Sequence, residues 1–335
     1  CLLVVISSAE HTAVAADGVS VSEQVNLPTL LTEMADSDAL ARWPRPGYRQ
    51  RQASSYNRAS VAPDKPGWFA DQDGVAFIRT EQRNGRTEWV LMEDDGPGCL
   101  TRIWTPYFYY GLNENTGPNV RFYLDGADTP VVDCPLIHLV TAQDFVGEPF
   151  AQYTARAGDL YLPVPYARSC RVAMDRRPFY NIINYRSYLP GTTVRTFTRD
   201  EYDASKQELA AVGRKLLTPP PPADDPIQTV RQTLSPHGEM TIPTPAGGAA
   251  VRYLEIRLTP TDSERSGYLR STVLTGRFDG EPTVWCPVGD FFGCADAVHP
   301  FQTFARAVKA DGTMTCRWVM PYETAADLRL LNLGT

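Results

Sequence analysis

Two short segments of the 335-residue chain concentrate aromatic, arginine and acidic side chains without the periodicity of a buried helix or strand. The segment SSYNRAS carries Tyr56, Asn57 and Arg58, and the segment PGWFADQDG carries Trp68 and Asp73. Aromatic rings can cover the apolar face of a sugar ring, and carboxylate, amide and guanidinium groups can hydrogen-bond its hydroxyls. We therefore predict that these residues bind carbohydrate.

Each segment also has an interpretation that involves no ligand. Pro, Asp and Gly form turns, so PGWFADQDG fits a turn whose Trp68 packs in the core. Residues 56–58 fit a helix cap or a turn that carries an arginine on the surface. The sequence leaves these alternatives open.

A third segment, EDDGPG, places three carboxylates before a tight turn. Paired carboxylates can serve as general acid and base, but neighbouring strand residues point to opposite faces of a sheet. Only Glu93 and Asp95 could therefore act together, and the alternative is a plain turn made by Asp-Gly-Pro-Gly. The later segment VGDFFG (288–293) is expected to be a buried strand end, because Phe291 and Phe292 favour burial.

Most signatures of other chemistries are absent. The chain contains no GxSxG, GxGxxG, HExxH or phosphate-binding glycine-rich motif, and its four histidines are far apart in sequence. We therefore expect no Ser-His-Asp site, no cofactor and no metal. The net charge of −7 and the scattered arginines predict no nucleic-acid surface. No apolar run is long enough to span a membrane.

Short runs rich in β-branched and aromatic residues, bounded by Gly, Pro, Asn or Asp, predict a mainly β protein. In the first half the predicted strands are 87–95, 99–107, 120–124, 160–164, 170–174 and 179–188. Such spacing is typical of an antiparallel jelly-roll sandwich. Two short accessory helices are predicted, one over 28–41 and one from the Thr198-x-x-Glu201 capping box to about residue 217.

Three landmarks recur in the same order in the two halves of the chain, which predicts a duplicated domain. GPGCLTRIW (96–104) resembles GGAAVRYLE (247–255), DGADTPVVDCPL (125–136) resembles DGEPTVWCPV (279–288), and Pro165-Tyr166 matches Pro321-Tyr322. The tract PPPPADDP (219–226) ends the second helix, because Pro lacks an amide donor. We predict two tandem jelly-roll sandwiches, with a first domain at 27–200, a helix and linker at 201–226, and a second domain at 227–335.

The second domain is expected to be incomplete. The first copy continues through FYNIINYRSY (179–188), which alternates like a core strand, whereas the second copy reaches only LRLLNLGT. A sandwich without that strand would have an unpaired sheet edge. We therefore expect the natural protein to continue beyond Thr335.

Residues 1–16 are typical of the end of an export signal, because an apolar run precedes the small-x-small pattern Ala13-Val14-Ala15. The alternatives are a disordered N-terminus and a lipid-modified Cys1. The interpretation predicts a secreted or periplasmic protein, either free or a lipoprotein. The remaining cysteines show no CxxC pairing and lie mostly in apolar runs, which favours buried free thiols.

Taken in order, several segments resemble glycoside hydrolase family 172. They are SSYNRAS, PGWFADQDGVAFIR, EDDGPGCLTRIW, LPVPYARSCRV, FYNIINYRSY and PTVWCPVGDFFG. The resemblance implies a double jelly roll that assembles as a homotrimer or a multiple of it, with active sites near protomer contacts. It also implies hydrolysis of fructofuranosides or D-arabinofuranosides with retention of configuration, through two carboxylates.

The chain departs from the family pattern in two places. The Gly-Thr-Gly-Thr-Glu-Asp-Tyr motif that holds the family's catalytic glutamate is absent from these residues, so no catalytic residue is assigned and the chain by itself is expected to be inactive. Asn57 stands where many members have Asp, and an amide keeps the acceptor oxygen but loses the charge. The first hypothesis is the N-terminal part of a secreted furanosidase. The alternative is a non-catalytic jelly-roll module that binds carbohydrate or supports an assembly.

Overall fold

The structure, a computed structural model, describes residues 2–10, 24–66, 68–70, 74, 76–106, 117–177, 179–219, 227–260 and 267–334. These residues form mainly antiparallel strands, as the sequence predicts, and the chain divides into two compact units. The first sandwich consists of Ser20–Met34 and Pro44–Gly213, and the second sandwich consists of Cys1–Val19, Ala35–Trp43 and Arg214–Thr335.

Most strands of the first half of the chain belong to the first sandwich, whereas β1 belongs to the second. In chain order they are β1 Leu2–Glu10, β2 Gln24–Val25, β3 Tyr48–Ser54, β4 Arg79–Arg83, β5 Arg86–Asp95, β6 Gly98–Thr105, β7 Asn119–Leu124, β8 Val132–Pro135, β9 Ala151–Thr154, β10 Ala157–Leu160, β11 Val164–Tyr166, β12 Ser169–Met174, β13 Ile182–Tyr188 and β14 Thr193–Val194. Those of the second half are β15 Ile227–Gln232, β16 Glu239–Ile242, β17 Ala249–Leu258, β18 Thr272–Phe278, β19 Glu281–Pro287, β20 Phe301–Gln302, β21 Arg306–Val308, β22 Thr313–Cys316, β23 Met320–Tyr322 and β24 Ala326–Asn332.

The helices of the described residues are short. They are α1 Leu27–Met34, α2 Leu136–Val140, α3 Arg199–Ala204, α4 Lys206–Leu217, α5 Tyr268–Ser271 and α6 Val288–Phe292, with a 3-10 helix at Ser37–Ala41.

The first sandwich contains two antiparallel sheets. One has the strand order β3-β13-β6-β10-β9, with β11 also paired to β6, and the other has the order β4-β5-β12-β7-β8. Alternation along each strand sends one set of side chains inward. Leu100 and Ile103 of β6 and Phe122 of β7 are almost fully buried. Leu100 and Ile103 are three residues apart, and a register shift in the pairing of β6 with β13 lies between them. A separate short parallel pair joins β2 and β14.

The second sandwich repeats this plan. One sheet has the order β15-β1-β17-β22-β21-β20, with β23 also paired to β17, and the other has the order β16-β24-β18-β19. Apolar side chains of both sheets meet in one core, with Val4 and Ile256 from the first sheet and Leu274 and Leu330 from the second.

The shared strand order supports the duplication inferred from the repeated landmarks. Strands β3, β6, β10 and β11 correspond to β15, β17, β22 and β23, and strands β5, β12, β7 and β8 correspond to β16, β24, β18 and β19. The short helices α2 and α6 follow β8 and β19 directly, at the two Cys-Pro landmarks.

The two Asp-Gly landmarks form the same turn. Asp125 and Asp279 have positive φ angles of 55° and 51° directly after β7 and β18. The Oδ1 atom of Asp125 accepts a hydrogen bond from the Ser169 N–H, and that of Asp279 accepts one from the Thr324 N–H. Each Asp therefore ties its turn to the chain just beyond the Pro-Tyr landmark.

The position that β13 holds in the first sandwich is held in the second by β1. Strand β1 pairs antiparallel with both β15 and β17, as β13 pairs with β3 and β6. The expected unpaired edge at this position is therefore filled in the structure. The interpretation of residues 1–16 as the end of an export signal stays a prediction.

The helices differ from the sequence prediction in their number and continuity. The helix predicted over 28–41 ends at Met34, and the Asp36 side chain accepts the Asp38 N–H (2.9 Å) and begins a separate 3-10 helix. Thr198 caps the second predicted helix by accepting a backbone N–H (3.1 Å), but this helix is divided into α3 and α4. The helices α2, α5 and α6 were not predicted, because elements of four or five residues show no helical periodicity.

Two strand predictions are also wrong. The strand predicted over 160–164 is interrupted, because β10 ends at Leu160 and the chain rejoins the sheet as β11 at Val164. VGDFFG forms α6 instead of a strand end, although Phe291 and Phe292 are buried as expected. The other strands predicted in the first half correspond to β5, β6, β7, β12 and β13 with shifted boundaries.

Candidate functional site

The SSYNRAS segment forms a turn directly after β3. The Ser60 N–H donates to the Asn57 carbonyl oxygen (3.0 Å), and the Ala59 N–H donates to Asn57 Oδ1 (3.0 Å). The amide oxygen of Asn57 therefore stabilises the turn, which is the local structure that the ligand-free interpretation expected. An Asp at this position could accept the same bond, so the turn does not require the amide.

Arg58 and Tyr56 form a stacked pair on the surface of this turn. The guanidinium carbon lies 3.8 Å from the centroid of the Tyr56 ring. Arg58 Nη1 donates to the Tyr56 carbonyl (2.7 Å), and Nη2 donates to the Ser54 carbonyl (2.8 Å). These two bonds fix the guanidinium, while Tyr56 keeps 49% of its surface exposed.

Trp68 lies on the surface, so the interpretation of it as a core residue is wrong. Its side chain is 46% exposed, and that of its neighbour Phe69 is 70% exposed. The two rings pack edge to face with their centroids 5.8 Å apart. The Trp68 N–H donates to the Lys65 carbonyl (3.1 Å), so the backbone at the indole is held in a turn.

Two hydrogen bonds join these segments into one structure. The Ala70 N–H donates to Ser60 Oγ (3.0 Å), and the Gly74 N–H donates to the Ser55 carbonyl (2.8 Å). Ser55 is buried, and its own N–H donates to the Asn181 carbonyl (3.1 Å) at the start of β13. We call the two joined segments that carry the exposed side chains of Tyr56, Arg58, Trp68 and Phe69 the aromatic loop.

Gly74, at the end of the aromatic loop, lies next to the ring of Tyr180. Its φ angle is +98°, and a Cβ at this position would meet the ring of Tyr180 at 2.9 Å. The Tyr180 carbonyl in turn accepts a hydrogen bond from Thr105 Oγ1 (2.9 Å) on β6. Asp73, the acidic member of the predicted set, lies outside the described residues, and its role stays a prediction.

The carboxylates of EDDGPG point in different directions, as the alternation of a strand requires. Glu93 accepts two hydrogen bonds from Arg79, at 2.5 and 2.6 Å. Asp94 accepts one from the Tyr166 hydroxyl and one from the Ser187 hydroxyl, both at 2.8 Å. The hydrogen bonds from Arg79 lower the pKa of Glu93, so this carboxyl is ionised at neutral pH and is unsuited to donate a proton.

A buried polar cluster that was not predicted from the sequence lies on the sheet that contains β5. Glu88 is fully buried, and its Oε1 accepts hydrogen bonds from the Tyr123 hydroxyl (2.6 Å) and from Arg121 Nη1 (3.4 Å). Burial and the bond to Glu88 raise the pKa of Tyr123. The available signal was a charged residue within the strand segment RTEWVLME, at a position that shares a strand face with Val90 and Met92.

The six cysteines within the described residues are free thiols, and Cys99, Cys170, Cys294 and Cys316 are buried. Within the same residues, no group of three or more His, Cys, Asp or Glu side chains has the arrangement of a metal site. None of the helices described above is long and apolar enough to cross a membrane.

Two family models match the chain. One, described as GH172 first beta-sandwich domain, matches residues 46–205, and the other, described as GH172 domain-like, matches residues 224–335. The first match contains the aromatic loop and all strands from β3 to β14. No curated protein matches the chain significantly.

Proposed function

The chain belongs to glycoside hydrolase family 172, and on that premise we propose that its aromatic loop binds furanose-containing carbohydrate for a hydrolase that cleaves furanosides. The family membership makes a carbohydrate the expected ligand. The loop supplies the aromatic surface and the guanidinium that such a ligand requires.

The observation that carries this proposal is the exposure of Tyr56 and Trp68 on a hydrogen-bonded loop. Rings that are half exposed offer an apolar surface to a sugar, and a loop held by Ser55 and Ser60 loses little freedom when the sugar binds. A guanidinium has five N–H donors, and the two backbone bonds of Arg58 use two of its nitrogen atoms. The remaining donor capacity suits a sugar hydroxyl.

The substrate and the mechanism are part of the same proposal. We propose a fructofuranoside or D-arabinofuranoside substrate and a retaining mechanism, in which two carboxylates stand about 5–5.5 Å apart and one forms a glycosyl-enzyme. Resemblance to the family supports this mechanism. Since the glutamate motif is absent from these 335 residues, the role proposed for this chain is to bind and orient the substrate.

Export and assembly are further proposals. The apolar run and the Ala13-Val14-Ala15 pattern support secretion or export to the periplasm, and resemblance to the family supports a homotrimer. Cell fractionation tests the first proposal and light scattering of the purified chain tests the second. A cytoplasmic product would contradict export, and a monomeric mass at all concentrations would contradict assembly of this chain.

The binding proposal is tested by affinity electrophoresis of the purified chain in gels that contain fructan or arabinan. We expect Trp68→Ala to weaken binding by about tenfold or more, because central aromatic residues supply much of the binding energy of a site. The matched control is Trp285→Ala, since Trp285 is 67% exposed on the second sandwich. Equal retardation of the wild type and Trp68→Ala would contradict the proposal. Unchanged circular dichroism spectra would show that both variants fold.

The non-catalytic module remains the second candidate, and one observation favours it. Glu93 of the acidic segment EDDGPG is held by Arg79 and has a lowered pKa, so it is unsuited to be the general acid of a retaining pair. The purified chain is therefore expected to bind carbohydrate without hydrolysing it. Release of reducing sugar from fructan or arabinan would contradict this expectation and favour the enzyme.

A further inference from the structure

One strand of the second sandwich comes from a distant part of the chain. All the other described strands of its two sheets lie within Ile227–Gln232 to Ala326–Asn332, whereas β1 is Leu2–Glu10. In the first sandwich the equivalent position is held by β13, which comes from the same continuous stretch of chain as its partners. The second sandwich is therefore completed by a segment that is not continuous with it in sequence.

The site that receives β1 is formed by the facing edges of β15 and β17. Strand β1 pairs with β17 over its full length, from Leu2 opposite Leu258 to Glu10 opposite Ala249. On its other side it pairs with β15, whose strand partner in the described structure is β1. Without β1, the backbone donors and acceptors of β17 on this side would lack partners, which is the condition under which a sheet accepts an added strand.

Alternate side chains of β1 determine which segments fit this site. Val4 and Ile6 point into the core and are 0% and 1% exposed. Val5 lies between them and faces the other side of the sheet. The site therefore selects an extended segment whose side chains at these two positions are apolar.

The fit of β1 is imperfect at one end. Ser7 is fully buried, and its hydroxyl oxygen has no hydrogen-bond partner. The register with β17 shifts between Ser7 and Ser8. A buried polar group without a partner destabilises a structure by about 1–3 kcal/mol, so this strand is held less tightly than the pairing pattern alone would suggest.

We propose that the space between β15 and β17 is a strand-acceptor site and that Leu2–Glu10 is its exchangeable occupant, supplied by the same chain or by a second copy. Residues 11–23 connect β1 to β2, and an extended chain spans at most about 3.3–3.6 Å per residue. Thirteen extended residues span at most about 43–47 Å, so exchange between copies requires that the second acceptor site lie within that distance. The Ala13-Val14-Ala15 pattern also lies in this connection, so cleavage there would separate β1 from the rest of the chain.

The test uses the full chain with a protease recognition sequence inserted between Glu10 and Gln24. The chain is folded first and then cleaved, so the acceptor site forms with β1 in place. We expect native mass spectrometry to show that the released segment stays bound without a covalent link. An excess of labelled Leu2–Glu10 peptide should then replace it over time.

Variant peptides distinguish specific recognition of the strand from nonspecific binding. Ile6→Asp should weaken binding by at least about 100-fold, because it would bury a carboxylate in the core. The matched control, Val5→Asp, should retain binding within about tenfold, since this side chain faces away from the core. Ser7→Ala should bind about tenfold more tightly, because it removes the unpaired hydroxyl.

Two results would overturn the proposal. Immediate loss of the cleaved segment, with an unchanged unfolding transition, would show that no acceptor site exists. Retention of the segment without any exchange, even after long incubation with excess peptide, would show that β1 is a permanent strand.

Exchange between copies is measured on the uncleaved chain. After refolding at high concentration we expect a dimer fraction, seen by size-exclusion chromatography with light scattering, that is abolished by Ile6→Asp and kept by Val5→Asp. Equal dimer fractions in these two variants would contradict strand exchange between copies.

Discussion

Gly98 is the position at which a single added carbon is expected to disturb the first sandwich most directly. It begins β6 and lies opposite Tyr166 of β11. In Gly98→Ala the new Cβ would lie 2.2 Å from the Tyr166 hydroxyl oxygen and 2.3 Å from the ring carbon that bears it. Tyr166 is fully buried, so its ring has no solvent-filled space into which it can move.

The magnitude follows from two losses. Overpacking a well-packed core costs about 1–3 kcal/mol. The displaced Tyr166 hydroxyl also loses its hydrogen bond to Asp94 Oδ2 (2.8 Å), and a bond to a charged group contributes about 1.5–3 kcal/mol. We therefore expect Gly98→Ala to lower the free energy of unfolding of the first sandwich by about 2.5–6 kcal/mol.

Denaturant unfolding measures this loss, and a double-mutant cycle assigns it. Tyr166→Phe should lower the free energy of unfolding by about 1.5–3 kcal/mol, because it removes only the hydroxyl. In the Tyr166→Phe background, Gly98→Ala should cost less than in the wild type, since the bond to Asp94 has already been lost.

The control is Gly147→Ala, where a Cβ would meet no atom within 4 Å and the change should stay within about 0.5 kcal/mol. Two results would refute the reasoning. One is a Gly98→Ala variant as stable as the wild type, and the other is strict additivity with Tyr166→Phe.

Two further predictions concern ionisable groups. Because Arg79 lowers the pKa of Glu93 in the folded state, their interaction stabilises the fold above the ordinary pKa of a glutamate and is lost as the pH falls through the lowered value. The difference in free energy of unfolding between the wild type and Arg79→Met should therefore be about 0.5–1 kcal/mol near pH 7, since the pair is partly exposed, and should shrink in acid. An unchanged difference in acid would contradict this assignment. Burial raises the pKa of Cys99 to about 12, so iodoacetamide should leave this thiol unmodified in the folded protein at about pH 9 and alkylate it after unfolding. Rapid native alkylation, located by peptide mass spectrometry, would show that the thiol is accessible.

Local patterns in the sequence predicted much of the fold. Runs of β-branched and aromatic residues bounded by turn residues predicted β5, β7 and β12. The alternation of 120–124 predicted a half-buried strand, but the structure buries both sides of β7. The Asp125 and Asp279 turns were marked by Asp-Gly, because few residue types adopt positive φ angles at low cost. The repeated landmarks also predicted the duplication, which the matching strand orders support.

Other features could not be predicted because they depend on specific hydrogen bonds, which the pattern of apolar residues does not reveal. From the sequence, the Trp68 indole could lie in the core or on the surface of a turn. In the structure it is exposed, on a loop that is held by hydrogen bonds to Ser55 and Ser60. The helix predicted over 28–41 was interrupted by a side-chain bond of Asp36 that helical periodicity does not reveal.

The sequence by itself determined the type of most strands, the Asp-Gly turns and the family to which the chain belongs, because these depend on residues close together in the chain. Only the tertiary structure decided that Arg79 holds Glu93 and that Leu2–Glu10 lies between β15 and β17. The reason is that a strand edge accepts any extended segment with the right alternation, so its occupant depends on which segments the whole fold brings to it.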